Sequence, residues 1–96
     1  MAIMRSEVVF DPRCRMDIGE RSADRRAQAS AMIRSLIKLL GKHAGHPPGS
    51  WQELGQPTDE YVWRDRNWTV VYRIADHRRL FRKRRTITIL SVTLRI

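Results

Sequence analysis

Arg64, Arg66, Arg73 and Arg95 lie in or beside segments that alternate like β-strands, and their guanidinium groups are the clearest chemical resource of the chain. Arginine presents a planar fork of donors that matches a phosphate, so several on one sheet face could hold a phosphodiester backbone. His77 is the imidazole best placed to move a proton beside them, since an ordinary histidine titrates near pH ~6.5. Glu60 and Tyr61 are substitutes, and a surface histidine without a role is the plainer reading of His77. The run Arg78, Arg79, Leu80, Phe81, Arg82, Lys83, Arg84, Arg85 follows directly. With Arg73, its basic residues read as nucleic-acid contacts, or else as a solvated loop that protects a β-edge from aggregation. Trp63 and Trp68 could stack on bases; at strand positions they could equally pack in a core.

Other chemistries find less support. His43 and His46 have a spacing that could suit a metal, but no third ligand lies near them in sequence, so neither metal nor cofactor is expected. Cys14 is the only cysteine, which excludes an internal disulfide and a cysteine pair for zinc and suits a reducing cytosol. It reads as a partly buried, inert thiol. Met1-Ala2-Ile3-Met4 is too short an apolar run for a signal peptide, and no segment approaches the ~20 apolar residues of a membrane span. A cytoplasmic protein with no membrane partner is the expectation.

The 96 residues fit one domain, 1–96, with a single modest core. A formal net charge of +9 attracts polyanions: RNA, DNA or an acidic protein. Ile3–Phe10 reads as a first strand, ended by a turn at Asp11-Pro12. Asp17 or Ser22 could cap a helix. From Ala23 the period is helical, with Ala29, Ile33, Leu36, Ile37 and Leu40 on one face and Gly41 as the stop. A break near Gly19 would make this a helical hairpin. His43–Ser50 is expected to be a loop, pinned by Trp51 and Leu54. Pro57-Thr58-Asp59 leads into a hairpin of strands 61–64 and 68–74, turning at Asp65-Arg66-Asn67, where Asn67 tolerates a positive φ. Trp68, Val70, Tyr72 and Ile74 share one face. After the basic insert, Thr86–Ile96 is the last strand. The expected fold is α+β: a small two-layer domain of N-terminal strand, one long helix or helical hairpin, and a three-stranded antiparallel sheet whose open face is concave and carries arginines.

Glu7-Val8-Val9-Phe10-Asp11-Pro12, Leu54, the hairpin Tyr61…Arg64…Trp68…Val70-Val71-Tyr72-Arg73-Ile74 and the closing Ile89–Arg95 resemble, in order and spacing, the RelE/ParE superfamily of toxins from bacterial toxin–antitoxin modules. The resemblance covers nearly the whole chain. It implies a toxin neutralised by an acidic antitoxin that wraps the sheet. In a RelE-like member the activity would be metal-independent cleavage of mRNA by its own 2′-hydroxyl, on the ribosome or free of it. That reaction needs a base, cations for the phosphorane charge and an acid or solvent for the leaving oxygen. Arg64 and Arg95 align with family positions that face RNA, and Arg64, Arg66, His77 and Arg95 form the candidate catalytic set. Two positions depart from RNA-cleaving members. Thr69 stands where they often carry a phosphate-binding arginine, and Leu94 neighbours Arg95 where they tend to carry an acid–base group. A ParE-like inhibitor of DNA gyrase without catalytic residues, and a non-enzymatic nucleic-acid-binding module, are the alternatives.

Overall fold

The structure, a computed structural model, describes residues 5–18, 23–47, 50–53, 59–79 and 82–95. The elements are β1 (Arg5–Ile18), α1 (Ala23–Lys42), β2 (Ser50–Glu53), β3 (Glu60–Arg64), β4 (Trp68–Arg79) and β5 (Arg82–Leu94). The fold is α+β, as its alternating patterns require, but the sheet is larger than expected. Five strands run in the order β1-β5-β4-β3-β2, with β1 parallel to β5 and the rest antiparallel.

The differences from the sequence expectation have local causes. β1 does not stop at Asp11-Pro12. It is an edge strand, where a proline costs no ladder hydrogen bond, and a register shift between Phe10 and Arg15 absorbs the turn residues. The Arg13 amide donates to Asp11 Oδ1 at 2.8 Å within that irregularity. Because β1 continues to Ile18, Asp17 is a strand residue and not a helix cap, and the described residues before α1 hold no second helix. Ser22, Gly19, Leu54, Pro57, Thr58 and Phe81 lie outside the described residues. Trp51 belongs to β2 and pairs with Trp63, so an edge strand that was not expected begins at Ser50, the last residue of the expected loop. The turn at 65–67 forms as expected, closed by the Asp65 amide on the Trp68 carbonyl at 2.9 Å. It does so without a positive φ at Asn67.

One helix covers one face. Ala29, Leu36 and Leu40 are buried against Trp63, Trp68, Val70, Tyr72, Ile74, Ile87, Ile89, Val92 and Leu94, while Ile33 and Ile37 are partly buried beside them. The expected helix stripe and the expected β4 face therefore meet as the core. Arg26, Arg34 and Lys38 stay exposed. No helix among the described residues is long and apolar enough to cross a membrane.

The helix ends beyond Gly41, in a Schellman turn. Gly45 N donates to Leu40 O at 2.9 Å and Ala44 N to Gly41 O at 3.3 Å. Ala44 (φ 53°) and Gly45 (φ 84°) both take left-handed backbone. A Cβ at Gly45 would also lie 2.6 Å from Ile74 Cδ1, so that side chain would have to shift. Two sheet side chains grip this turn. Tyr72 OH donates to Gly45 O at 2.6 Å, and Arg85 Nη1 donates to Ala44 O at 2.8 Å.

Candidate nucleic-acid interface

Period-two alternation assigns the sheet residues to two faces. The face without the helix carries Glu60 and Arg64 from β3, Thr69, Arg73 and His77 from β4, and Arg84, Thr86, Thr88, Ser91 and Thr93 from β5. At the turn end a row crosses four strands, with Arg64 opposite Thr69, Thr69 opposite Thr93, and Thr93 beside Asp17. Arg66 lies in the adjoining turn, and Arg95 follows β5 with its amide on Asn67 O at 2.8 Å. All three arginines are exposed, and none makes a side-chain ion pair among the described residues. Arg64, Arg66 and Arg95 are thus brought together, with threonine hydroxyls between them.

His77 is not part of that group. It pairs with Arg84, eight residues along β4 from Thr69, which at ~3.3 Å per residue is roughly 26 Å away. His43 and His46 follow the helix, so none of the chain's 3 histidines lies at the Arg64–Arg95 end. The carboxylates there among the described residues are Asp17, opposite Thr93, and Asp65, whose Oδ1 accepts the Arg66 amide at 2.5 Å. A strand assignment for residues 11–18 would have placed Asp17 in this row, but Asp11-Pro12 obscured it. The Trp63 and Trp68 rings pack edge to face at 5.2 Å inside the core, which removes both from base stacking.

The basic run is not a loop. Asp76↔Arg85, His77↔Arg84, Arg78↔Lys83 and Arg79↔Arg82 are ladder pairs, so β4 and β5 continue into one long hairpin. Its cations differ in availability. Arg85 Nε and Nη2 bind the two Asp76 oxygens at 2.7 and 3.0 Å, and its side chain is only 16% exposed. Arg85 is therefore a bracket between hairpin, helix turn and Asp76, and not the free backbone contact expected. This hydrogen bond is the main reason the Asp76 carboxyl titrates below its ordinary value. Arg73 is partly neutralised by Glu60 at 3.0 Å, and Arg84 lies 3.9 Å from Glu7. Arg78 and Lys83 are exposed, while Arg79 and Arg82 are placed by backbone pairing alone.

On the helix-bearing face, just past the Schellman turn, an open cleft of about 330 Å³ is lined by His46, Asp59, Tyr61, Ile74, Asp76 and Arg85. Tyr61 stacks on Tyr72 at 5.6 Å, and His46 meets Tyr61 edge-on at 5.8 Å. Burial, then the nearby Tyr61, raises the Tyr72 hydroxyl far above its usual titration range, so it remains a donor to Gly45. Cys14 is partly buried, and burial raises its thiol above the ordinary value, so it is a poor nucleophile. No group of three metal-ligating side chains occurs among the described residues.

Comparison with family models, with curated proteins and with solved structures returned no match.

Proposed function

We propose that the protein is a RelE/ParE-like toxin domain that acts by engaging a nucleic-acid backbone, RNA first, through the helix-free sheet face. The observation that carries this reading is the cluster of Arg64, Arg66 and Arg95, three exposed cations without acidic partners among the described residues, at one end of that face. The net charge of +9 draws a polyanion toward it, and the arginine forks and threonine hydroxyls suit phosphate oxygens. The order of strand, helix, hairpin and closing strand supports the family resemblance. An acidic antitoxin would neutralise the same cations.

In the ribonuclease reading, Arg64, Arg66 and Arg95 stabilise the phosphorane charge. His77 lies too far along β4 to share their phosphate, so Asp17 or Asp65 takes the place of the base. The gyrase-inhibitor reading is favoured by one observation, Thr69 in the middle of the row where RNA-cleaving relatives often carry an arginine.

Induced expression in a bacterial host, with growth and transcript integrity followed together, tests these readings. Arrest with rapid mRNA cleavage, lost in Arg64→Ala and Arg95→Ala, supports the ribonuclease. Arrest with intact mRNA and a DNA-damage response supports a gyrase target. Unimpaired growth would reduce the protein to a binding module.

A further inference from the structure

The cleft beside the helix turn combines two features that point to different ligands, and only one ligand class satisfies both. Its walls carry two carboxylates, Asp59 and Asp76, against one guanidinium, Arg85. Asp76 is committed to Arg85 through both oxygens. Asp59 has no side-chain partner among the described residues; only its carbonyl is used, accepting from the Ile74 amide at 3.0 Å. An uncommitted carboxylate repels phosphate and selects a group that donates hydrogen bonds. The molecule as a whole, at +9, repels a cationic donor such as a lysine or arginine peptide. A neutral nucleobase tethered to a phosphodiester chain meets both conditions. The surroundings fit one: Tyr61, His46 and Ile74 give aromatic and apolar walls, and single-stranded bases are recognised by stacking and by their Watson–Crick edges. Arg78 and Lys83 form the next pair on this face of the hairpin, one two-residue step (about 7 Å) beyond Asp76 and Arg85. Exposed cations therefore stand beside an acidic cleft, where a strand would need its phosphates held.

We propose that this cleft is a guanine-selective site for one unpaired nucleotide of a bound RNA strand; the assignment rests on the RNA-binding reading above, and because the cleft lies on the opposite face of the sheet from Arg64, the strand reaches it by passing around the β4–β5 hairpin. Guanine alone among the common bases offers two adjacent donors, N1–H and the N2 amino group, which a single carboxylate accepts together. Asp59 is that acceptor. Tyr61 and His46, in edge-to-face contact with each other, form one wall against the base, and Arg78 and Lys83 take the neighbouring phosphates.

Fluorescence anisotropy with four labelled RNA heptamers, U7 and U3XU3 with X as G, A or C, tests the site. The G-containing strand is expected to bind about tenfold tighter than U7, within the range of a bidentate base contact. In Asp59→Asn, an exposed position, that preference should collapse while U7 binding is retained; a thermal melt checks that the variant folds. Equal affinity for all four strands, or a G preference that survives Asp59→Asn, overturns the guanine site and leaves RNA binding standing. Failure of every strand to bind overturns both.

Discussion

At the scale of single residues, the turn after α1 is where sequence and backbone disagree. Ala44 occupies the left-handed position that glycine usually fills, while Gly45 is also left-handed and sits where a Cβ would displace the Ile74 side chain. Adjacent substitutions should therefore have opposite signs. Ala44→Gly relieves the left-handed penalty on an L-residue, offset by the greater freedom of glycine when unfolded, and is expected to stabilise by about 0.5–1 kcal/mol. Gly45→Ala combines φ 84° with a Cβ driven against Ile74 and should cost about 1–3 kcal/mol. Urea unfolding of the two variants is the check, read as a midpoint shift at constant slope. Two destabilised variants would contradict the Schellman geometry. Gly41 was the legible stop signal in the sequence, but a glycine inside a helix and one beyond it look alike without the hydrogen bonds. The charged residues were legible in identity and not in role: Arg85 reads like its neighbours in the basic run, and only its Asp76 and Ala44 partners separate it from them.

At the scale of elements, the helix stripe and the central hairpin were readable because burial imposed periods of 3.6 and 2 on them. The outer part of the β4–β5 hairpin was not, since the exposed side chains at 76–78 and 83–84 leave no hydrophobic period, and its ladder is made of backbone groups that every residue carries. What fastens this ribbon to the helix is the Asp76–Arg85–Ala44 bracket. The bracket has a pH signature. The Asp76 carboxyl titrates below its unfolded value of ~3.9, so its contribution is fully present above that pH and is lost as the pH falls through the folded value. Because the Asp76 side chain is 62% exposed, solvent screening limits the contribution to under about 1 kcal/mol. Asp76→Asn should be less stable than the parent at neutral pH, and the gap should narrow as acid unfolding is followed from about pH 5 to 2. A gap that stays constant with pH would assign the loss to packing and not to the ion pair.

At the scale of the whole molecule, the charge of +9 was visible from composition, but its division between committed and free cations required the fold. Arg85, Arg73 and, more loosely, Arg84 pair with carboxylates; Arg64, Arg66 and Arg95 make no such pair among the described residues. That division makes a quantitative claim about RNA binding. Each phosphate neutralised on a single strand contributes about −0.7 to the slope of log K against log salt. If Arg64 and Arg95 each hold a phosphate, the double variant Arg64→Ala/Arg95→Ala should flatten the slope by about 1.4 for every heptamer, whatever its sequence. Asp59→Asn, which removes an acceptor from the opposite side of the sheet, should change base preference and leave the slope for U7 where it was. A slope unmoved by the arginine variant would mean that the strand lies along the hairpin alone, and that the free cations at the turn end serve a protein partner instead.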